Sequence, residues 1–398
     1  MYCENLTASF IDEVNKDVVA YRRHIHKHPE TGFDTGRTEQ FIREILEKEG
    51  IETLTSKIGV IGLIPSKNKS EKYVALRADI DALSLEEANE TPYRSVENGK
   101  MHACGHDAHT AMLLGAARLL NASRDSLRHN VLLIFQPAEE GPDLGGAIIM
   151  LEDLRKQGIL PDITAITALH VTTELNSGTI GIRYGSAMAS IDAFDVTVKG
   201  RGGHGGIPYK AVDPISISAK FITAMESYMS RFVNVFDPAI FAVCMINSGT
   251  AKNVIPDSAT ISGQLRALSE DNREKVMEAS NKLLQGLCLY TGADFDMKVT
   301  KGLPVLVNDE KTLRNAENIA KTAFGTDNVV ILNSPNMGAE DFAFFARSIP
   351  AAFVWLGVRN EERGFAHMMH NPRFDIDEDA LPTGVRYLYD FVYSYSDQ

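Results

Sequence analysis

The texture of the chain changes twice, near Gly185 and near Pro304, and those changes constrain its fold more than any other feature. Before Gly185, strand-like apolar runs alternate with helix-like ones. Phe10–Arg23 and Thr38–Leu46 carry helical apolar spacing, while Val60–Ile64, Lys72–Ala78, Asn130–Phe135 and Ile163–Leu169 read as strands. Further helices are expected after His109 and over Ala147–Gln157. Such alternation implies a largely parallel sheet covered on both faces. Between the two changes the order differs: strand Asp192–Val198, helix Pro214–Met225, strands Ile240–Ile246 and Ala259–Arg266, helix Asp271–Tyr290, strand Asp294–Thr300. That β-α-β-β-α-β order is a self-contained split-βαβ sandwich. After Pro304 the first texture returns, with helix Lys311–Phe324, strand Ala352–Gly357 and a last helix from Leu381. The expected fold class is therefore α/β, a domain with a mainly parallel sheet covered by helices, interrupted by an inserted α+β sandwich. The expected boundaries are 1–185 and 303–398 for the two parts of the larger domain and 186–302 for the insertion.

Composition narrows the function classes. A net charge of −13 argues against a nucleic-acid or anionic-membrane partner. It does not exclude a small anionic substrate, because one arginine can dominate a pocket. No apolar run approaches the roughly 20 residues of a membrane helix, and Met1–Asn5 lacks the basic-then-apolar start of a secretory signal. Cys3, Cys104, Cys244 and Cys288 are too scattered for a disulfide framework, so a cytoplasmic location is expected.

The run Met101–His109 packs Cys104, His102, His106, His109 and Asp107 into nine positions. Thiolate and imidazole are the ligand set of a borderline-soft divalent ion. In extended backbone Cys104 and His106 point the same way, and Gly105 permits a turn. Several other polar groups follow strand ends: Asp79 and Asp81, Glu139 and Glu140, and His170. In parallel sheets the crevice beyond the strand carboxyl ends is the usual ligand site. Taken alone, His170 also reads as an ordinary buried polar residue, and Glu139–Glu140 as a solvated acidic bend. Neighbouring side chains in extended backbone point apart, so one glutamate can bind an ion while the other takes a proton from water activated there. His367 and His370 precede Asn371-Pro372, which argues for a loop supplying one ligand. Glu340, beside Asp341, reads either as a neighbour of the same site or as part of a helix-start acidic pair.

These segments together resemble the aminoacylase/hippurate hydrolase family of dinuclear metallopeptidases, in the branch that includes the indole-acetyl-amino-acid hydrolases. The resemblance spans nearly the whole chain. It is carried by Arg22–Glu30, Arg77–Leu83, Met101–His109, Gln136–Gly141, Ala168–His170, Gly200–His204, Gly249–Pro256 and His370–Phe374. It implies that Cys104, His106, Glu140, His170 and His370 hold two divalent ions (zinc, manganese, cobalt or nickel), with Glu139 as general base and acid. It implies Asp81 as an orienting carboxylate, and His204 and Asn253, on the insertion, as oxyanion donors from the same or a partner subunit. The larger domain would be the catalytic one, the insertion a dimerisation or lid domain, and the protein a homodimer or higher homo-oligomer. Arg266 is the candidate for a substrate carboxylate, with a surface salt bridge as the other reading. His24, His26 and His28 are expected to serve local structural roles, and His102 and His109 to shape the site without touching metal.

The chain departs from the family pattern at Leu83-Ser84-Leu85, in the turn after Glu140 and at Gln264. No departure removes a catalytic group, but acyl and amino-acid preference are left open. The resulting expectation is a metallohydrolase cleaving the amide of a small N-acyl amino acid. A dipeptidase or carboxypeptidase with the same machinery is the alternative. A non-catalytic metal-binding or redox protein is a third reading, which leaves the spare Glu139 unexplained.

Overall fold

The computed structural model describes residues 6–68, 70–141 and 144–395. Met1–Asn5, including Cys3, and Pro142 and Asp143 of the turn after Glu140 lie outside them. The chain forms two compact units. One takes the residues up to Gly185, Val307–Ser334 and those from Asp341 on; the other takes Ser186–Leu306 and Pro335–Glu340. The second crossing thus falls a few residues later than expected, and 335–340 group with the second unit.

In the first unit, β1 (Glu52–Leu54), β2 (Val60–Ile64), β3 (Tyr73–Asp79), β4 (Asn130–Gln136), β5 (Ile163–Asn176), β6 (Ile180–Ile182), β7 (Val329–Ile331) and β8 (Ala351–Arg359) form one sheet. Its order is β1-β2-β4-β3-β5-β8-β6-β7. The central strands β4, β3, β5 and β8 run parallel. β1 and β2 join antiparallel at one side, and β6 turns back against β8 at the other. β3 and β4 bury almost every side chain, as near-continuous apolar strands do when both sheet faces are covered.

The helices are α1 (Ala8–Lys27), α2 (Gly36–Lys48), α3 (His106–Ala122), α4 (Ala147–Lys156), α5 (Glu310–Phe324), α6 (Phe342–Ala346) and α7 (Leu381–Ser394). α3 is buried throughout from His106 to Leu120. It carries Gly115 where α1 and α7 come closest: a Cβ there would sit 2.4 Å from Val18 Cγ2 and 3.1 Å from Val385 Cγ2. α3 starts at His106, earlier than the apolar spacing suggests, because its first turn is built from His106, Asp107 and His109 rather than apolar residues. Asp107 suits the positive end of the helix.

In the second unit the strands Ala239–Ser248, Ser258–Ala267, Ser190–Lys199 and Asp294–Lys301 form an antiparallel sheet in that order. Ser190–Lys199 alternates buried and more exposed side chains, the mark of a sheet covered on one face. Helices Pro214–Phe232 and Glu270–Thr291 supply the cover, packing Ile217, Phe221, Val276 and Leu284 onto Phe194, Val196 and Ile261. Among the described residues no helix is long and apolar enough to cross a membrane.

One buried ion network ties the first unit together. Arg22 of α1, fully buried, donates to Asp107 at 2.8 Å, Asp375 at 2.6 Å and Glu378 at 3.2 Å. His26 Nδ1 meets the same Asp107 oxygen at 2.7 Å. Burial alone would raise Asp107's carboxyl, but Arg22 and His26 outweigh it and hold it well below the usual carboxylate range. A carboxylate depressed in the folded state stabilises it above the unfolded-chain value near about pH 4, and that contribution drains away as pH falls further. Arg22→Met removes the cation and strands three acidic groups. Denaturant unfolding at neutral pH is expected to show a loss of about 3–5 kcal/mol; a change below 1 kcal/mol, roughly the value of an exposed pair, would mean the network contributes little.

Candidate metal centre

β3 and β4 end side by side, with Asp79 opposite Gln136. Asp81, two residues beyond β3, is fully buried, and its two oxygens accept the backbone N–H groups of Glu139 at 3.0 Å and Glu140 at 3.1 Å. One carboxylate thereby pins the exit of β4 to the exit of β3. The backbone around Glu139 and Glu140 is bent, not extended, and Ala138 has a φ of 59°. The two glutamates therefore part through a bend rather than through strand alternation. Glu140 Oε1 lies 3.0 Å from His370 Nε2, and Glu140 clusters with Cys104 and His106. Glu139 Oε2 stands 3.9 Å from His106 Nε2.

Cys104 and His106 are also brought together by a turn, which corrects the extended reading. Gly105 between them has a φ of 85°, and a Cβ there would lie 2.3 Å from Val171 Cγ2. Glycine alone meets both demands. His170 is likewise not just beyond a strand but inside β5, which runs on to Asn176. His370 sits in a loop, as expected, at a φ of 64°, with its N–H donating to the Ala103 carbonyl at 2.8 Å.

Hydrogen bonds orient the rings. His106 Nδ1 donates to the Asp81 carbonyl at 2.8 Å, leaving Nε2 buried with no hydrogen-bond partner among the described residues. His170 Nδ1 donates to the Val171 carbonyl at 2.8 Å, and its Nε2 lies 3.6 Å from Cys104 Sγ. Bonds of about 2.0 Å to nitrogen and 2.3 Å to sulfur put two donors of one tetrahedral ion about 3.5 Å apart, so this pair already has the spacing of shared ligands.

The electrostatics favour a cation. Burial opposes a charge on His106, but Asp79, Asp81 and Glu140 outweigh it and lift the ring to about 10. Burial, then Glu140 and Glu139, push the Cys104 thiol well above its ordinary value. A divalent ion relieves this excess negative potential and makes a thiolate ligand accessible. Cys104, His106 and Glu140 offer ligand atoms within 4.8 Å of one another, as do Asp79, His106, His109 and His170. At the Glu140–His370 pair, burial would raise the carboxyl, but the hydrogen bond from His370 lowers it and the same bond raises His370.

His109 does more than the sequence suggests. The Val171 N–H can only donate, and it does so to His109 Nε2 at 2.9 Å. The proton of His109 is therefore on Nδ1, which meets Asp79 Oδ1 at 2.5 Å. Both nitrogens are engaged, so His109 positions rather than ligates: it grips the N–H of Val171, the residue whose carbonyl orients His170. Its placement three residues after His106, on the same face of α3, is the available sequence signal. Asp79 is held low despite burial by His106, His109 and Arg77. Arg77 links it at 2.7 Å and reaches Asp341 at 2.9 Å. Asp341, not singled out by the sequence, also accepts from Gln136 and from the Ala147 N–H. Glu340 belongs to the second unit. His102 is buried with both nitrogens unpartnered among the described residues, and burial drives it down to about 3.

The remaining candidates sit on the second unit. Strands Gly203–His204 and Val254–Ile255 pair, and the Gly205 N–H donates to the Asn253 carbonyl at 2.8 Å, so His204 and Asn253 are neighbours. His204 Nδ1 accepts the Gly206 N–H at 3.0 Å, which places its proton on Nε2 as an exposed donor. Arg266 is partly buried, donating to the Met337 carbonyl at 2.7 Å and Gln264 Oε1 at 3.2 Å, with no carboxylate partner among the described residues. The surface salt bridge is thus not found. Of the helix-end histidines, His26 is structural, bonded to Asp107 and Glu87. His24 and His28 make no side-chain hydrogen bond among the described residues, and His24 stacks on Phe41.

The family profile described as Peptidase family M20/M25/M40 matches residues 75–394. The chain is 36% identical over 378 residues to thermostable carboxypeptidase 2 of Saccharolobus solfataricus, covering 94% of each chain. It is 38% identical over 373 residues to N-acetylcysteine deacetylase of Bacillus subtilis, covering 93% of this chain and 94% of that one. Among solved structures, a Bacillus subtilis protein described as a dinuclear metal binding peptidase of the M20 family is similar at a TM-score of 0.83 and 33% identity, covering 96% of this chain and 98% of that one.

His109→Leu leaves the Val171 N–H and Asp79 without their partner while preserving bulk. Chelator competition is expected to show divalent-ion affinity about 10–100-fold weaker, the usual cost of losing a group that orients a ligand. Unchanged affinity would show that His170 is held without this clamp.

Proposed function

With the chain a member of peptidase family M20/M25/M40, in its aminoacylase/hippurate hydrolase branch, and hence a metallohydrolase acting on amide bonds, we propose that its substrates are N-acyl amino acids. The products would be a carboxylic acid and a free amino acid. The observation that carries the mechanism is that Glu140 clusters with Cys104 and His106 while Glu139 Oε2 stands 3.9 Å from His106 Nε2, with both backbones pinned by Asp81. Cys104, His106, Glu140, His170 and His370 would hold two divalent ions. When bound, those ions polarise the scissile carbonyl and acidify water. Glu139 takes the water proton and returns it to the departing nitrogen. His204, through its Nε2–H, and Asn253 are the proposed donors to the tetrahedral oxyanion. Arg266, with no carboxylate of its own, is the proposed partner of the substrate carboxylate.

Thiolate and imidazole favour zinc, cobalt or nickel, and the carboxylate admits manganese. We further infer a homodimer. Ala239–Ser248 is a sheet edge with Met245 and Ile246 exposed, and an apolar edge strand of this kind invites pairing with a second copy. A cytoplasmic location fits the free thiols of Cys104, Cys244 and Cys288.

Carboxypeptidase action is the second reading, favoured by the Saccharolobus relative. Family membership sets aside the non-catalytic metal-binding alternative. A panel of N-acetyl and N-benzoyl amino acids against dipeptides separates the two hydrolytic readings; preference for a free α-amino group would contradict the first. Glu139→Gln is expected to keep full metal content while kcat falls about 10²–10⁴-fold. Activity near wild type would remove Glu139 as the base. Cys104→Ser is expected to lose metal, and normal metal content would remove Cys104 from the ligand set.

A further inference from the structure

We propose that His24 and His28, at the carboxyl end of α1, form an accessory site for a borderline divalent transition ion such as copper or nickel, separate from the Cys104–His106 cluster. The two residues are spaced i, i+4, His24 in the last turn of α1 and His28 as the cap immediately after its final residue, Lys27, a spacing at which paired histidines can share one metal. Their ring centroids lie 5.1 Å apart, at an interplanar angle of 53°. With metal–nitrogen bonds of about 2.0–2.1 Å, each centroid would lie about 3.2 Å from a shared ion, and a tetrahedral angle would then separate the centroids by about 5.2 Å. The rings are already at that spacing.

Their surroundings suit this use. His24 is stacked on Phe41 at 4.3 Å and 19°, which holds its ring in place. Both rings border a cavity of about 240 Å³ with Ile25, Arg37, Thr38 and Phe41. The guanidinium of Arg37 does not repel an incoming ion unopposed, because Glu30 at 3.1 Å and Glu97 at 2.8 Å neutralise it. The carboxyl end of a helix carries partial negative charge and favours a cation. Burial, then His28, keep His24 below its ordinary value, so its lone pair is available at neutral pH. No other residue competes for these nitrogens through a side-chain hydrogen bond among the described residues. Imidazole is a good donor for copper, nickel and zinc, and water would complete the shell.

The test uses the holoenzyme titrated with one equivalent of Cu²⁺, followed by calorimetry and electron paramagnetic resonance. The proposal expects a copper signal split by two nitrogen ligands. His24→Gln and His28→Gln should each weaken copper binding at least tenfold, with His129→Gln as the unaffected histidine control. Both target side chains stand at the surface end of α1, so neither change disturbs the core. Copper binding as tight in His24→Gln or His28→Gln as in the wild type would overturn the proposal. So would a signal with fewer than two coupled nitrogens.

Discussion

The carboxylate of Asp81 is the joint on which the site depends. It receives the N–H groups of Glu139 and Glu140, and its own backbone carbonyl receives His106. Residues far apart in sequence are set in one geometry by a single residue. Burying this carboxylate is costly, and burial does push Asp81 up. Two backbone donors and the nearby imidazole offset that cost, in keeping with the rule that buried polar groups persist when satisfied. The arrangement explains how two adjacent glutamates can divide between ligand and proton carrier without relying on strand alternation.

Around this joint lie two kinds of polar cluster. The Arg22 network is charge-paired: its guanidinium is met by three carboxylates, with His26 and Tyr93 bonded to two of them, although Asp107 Oδ1 has no hydrogen-bond partner among the described residues. The Cys104–His106 cluster is open. His106 Nε2 has no hydrogen-bond partner among the described residues; the neighbouring carboxylates raise its ring against burial, and burial together with Glu140 and Glu139 raises the Cys104 thiol. A charge-paired buried network stabilises the fold, whereas one with excess negative potential is matched to an added cation. The clamp from Asp79 through His109 to Val171 joins the open cluster to the sheet.

The architecture was largely legible in sequence because its periodicities are strong. Long apolar strands such as Asn130–Gln136 and amphipathic helices such as α1 and α5 announce themselves, as does the switch to an antiparallel unit after Gly185. Short elements such as β6, β7 and α6 are too brief to show a period. The donor set Cys104, His106, Glu140 and His370 was visible as residue types, and the structure gathers these groups. The means of gathering was not visible. The turns at Gly105 and Ala138 depend on left-handed backbone, and a strand's continuation past His170 depends on pairing with β8, which local pattern does not report. The roles of His109 and Asp341 are set by partners distant in sequence, Val171 and Arg77; spacing puts His109 on the His106 face of α3 but reports neither partner.

The central claim is that the thiolate of Cys104 and the inward nitrogens of His106 and His170 are donors to a divalent ion. X-ray absorption at the edge of the metal in the purified protein tests it most directly. A sulfur scatterer at about 2.3 Å, beside nitrogen and oxygen at about 2.0–2.2 Å, is the expected result. A shell of nitrogen and oxygen alone would contradict the account.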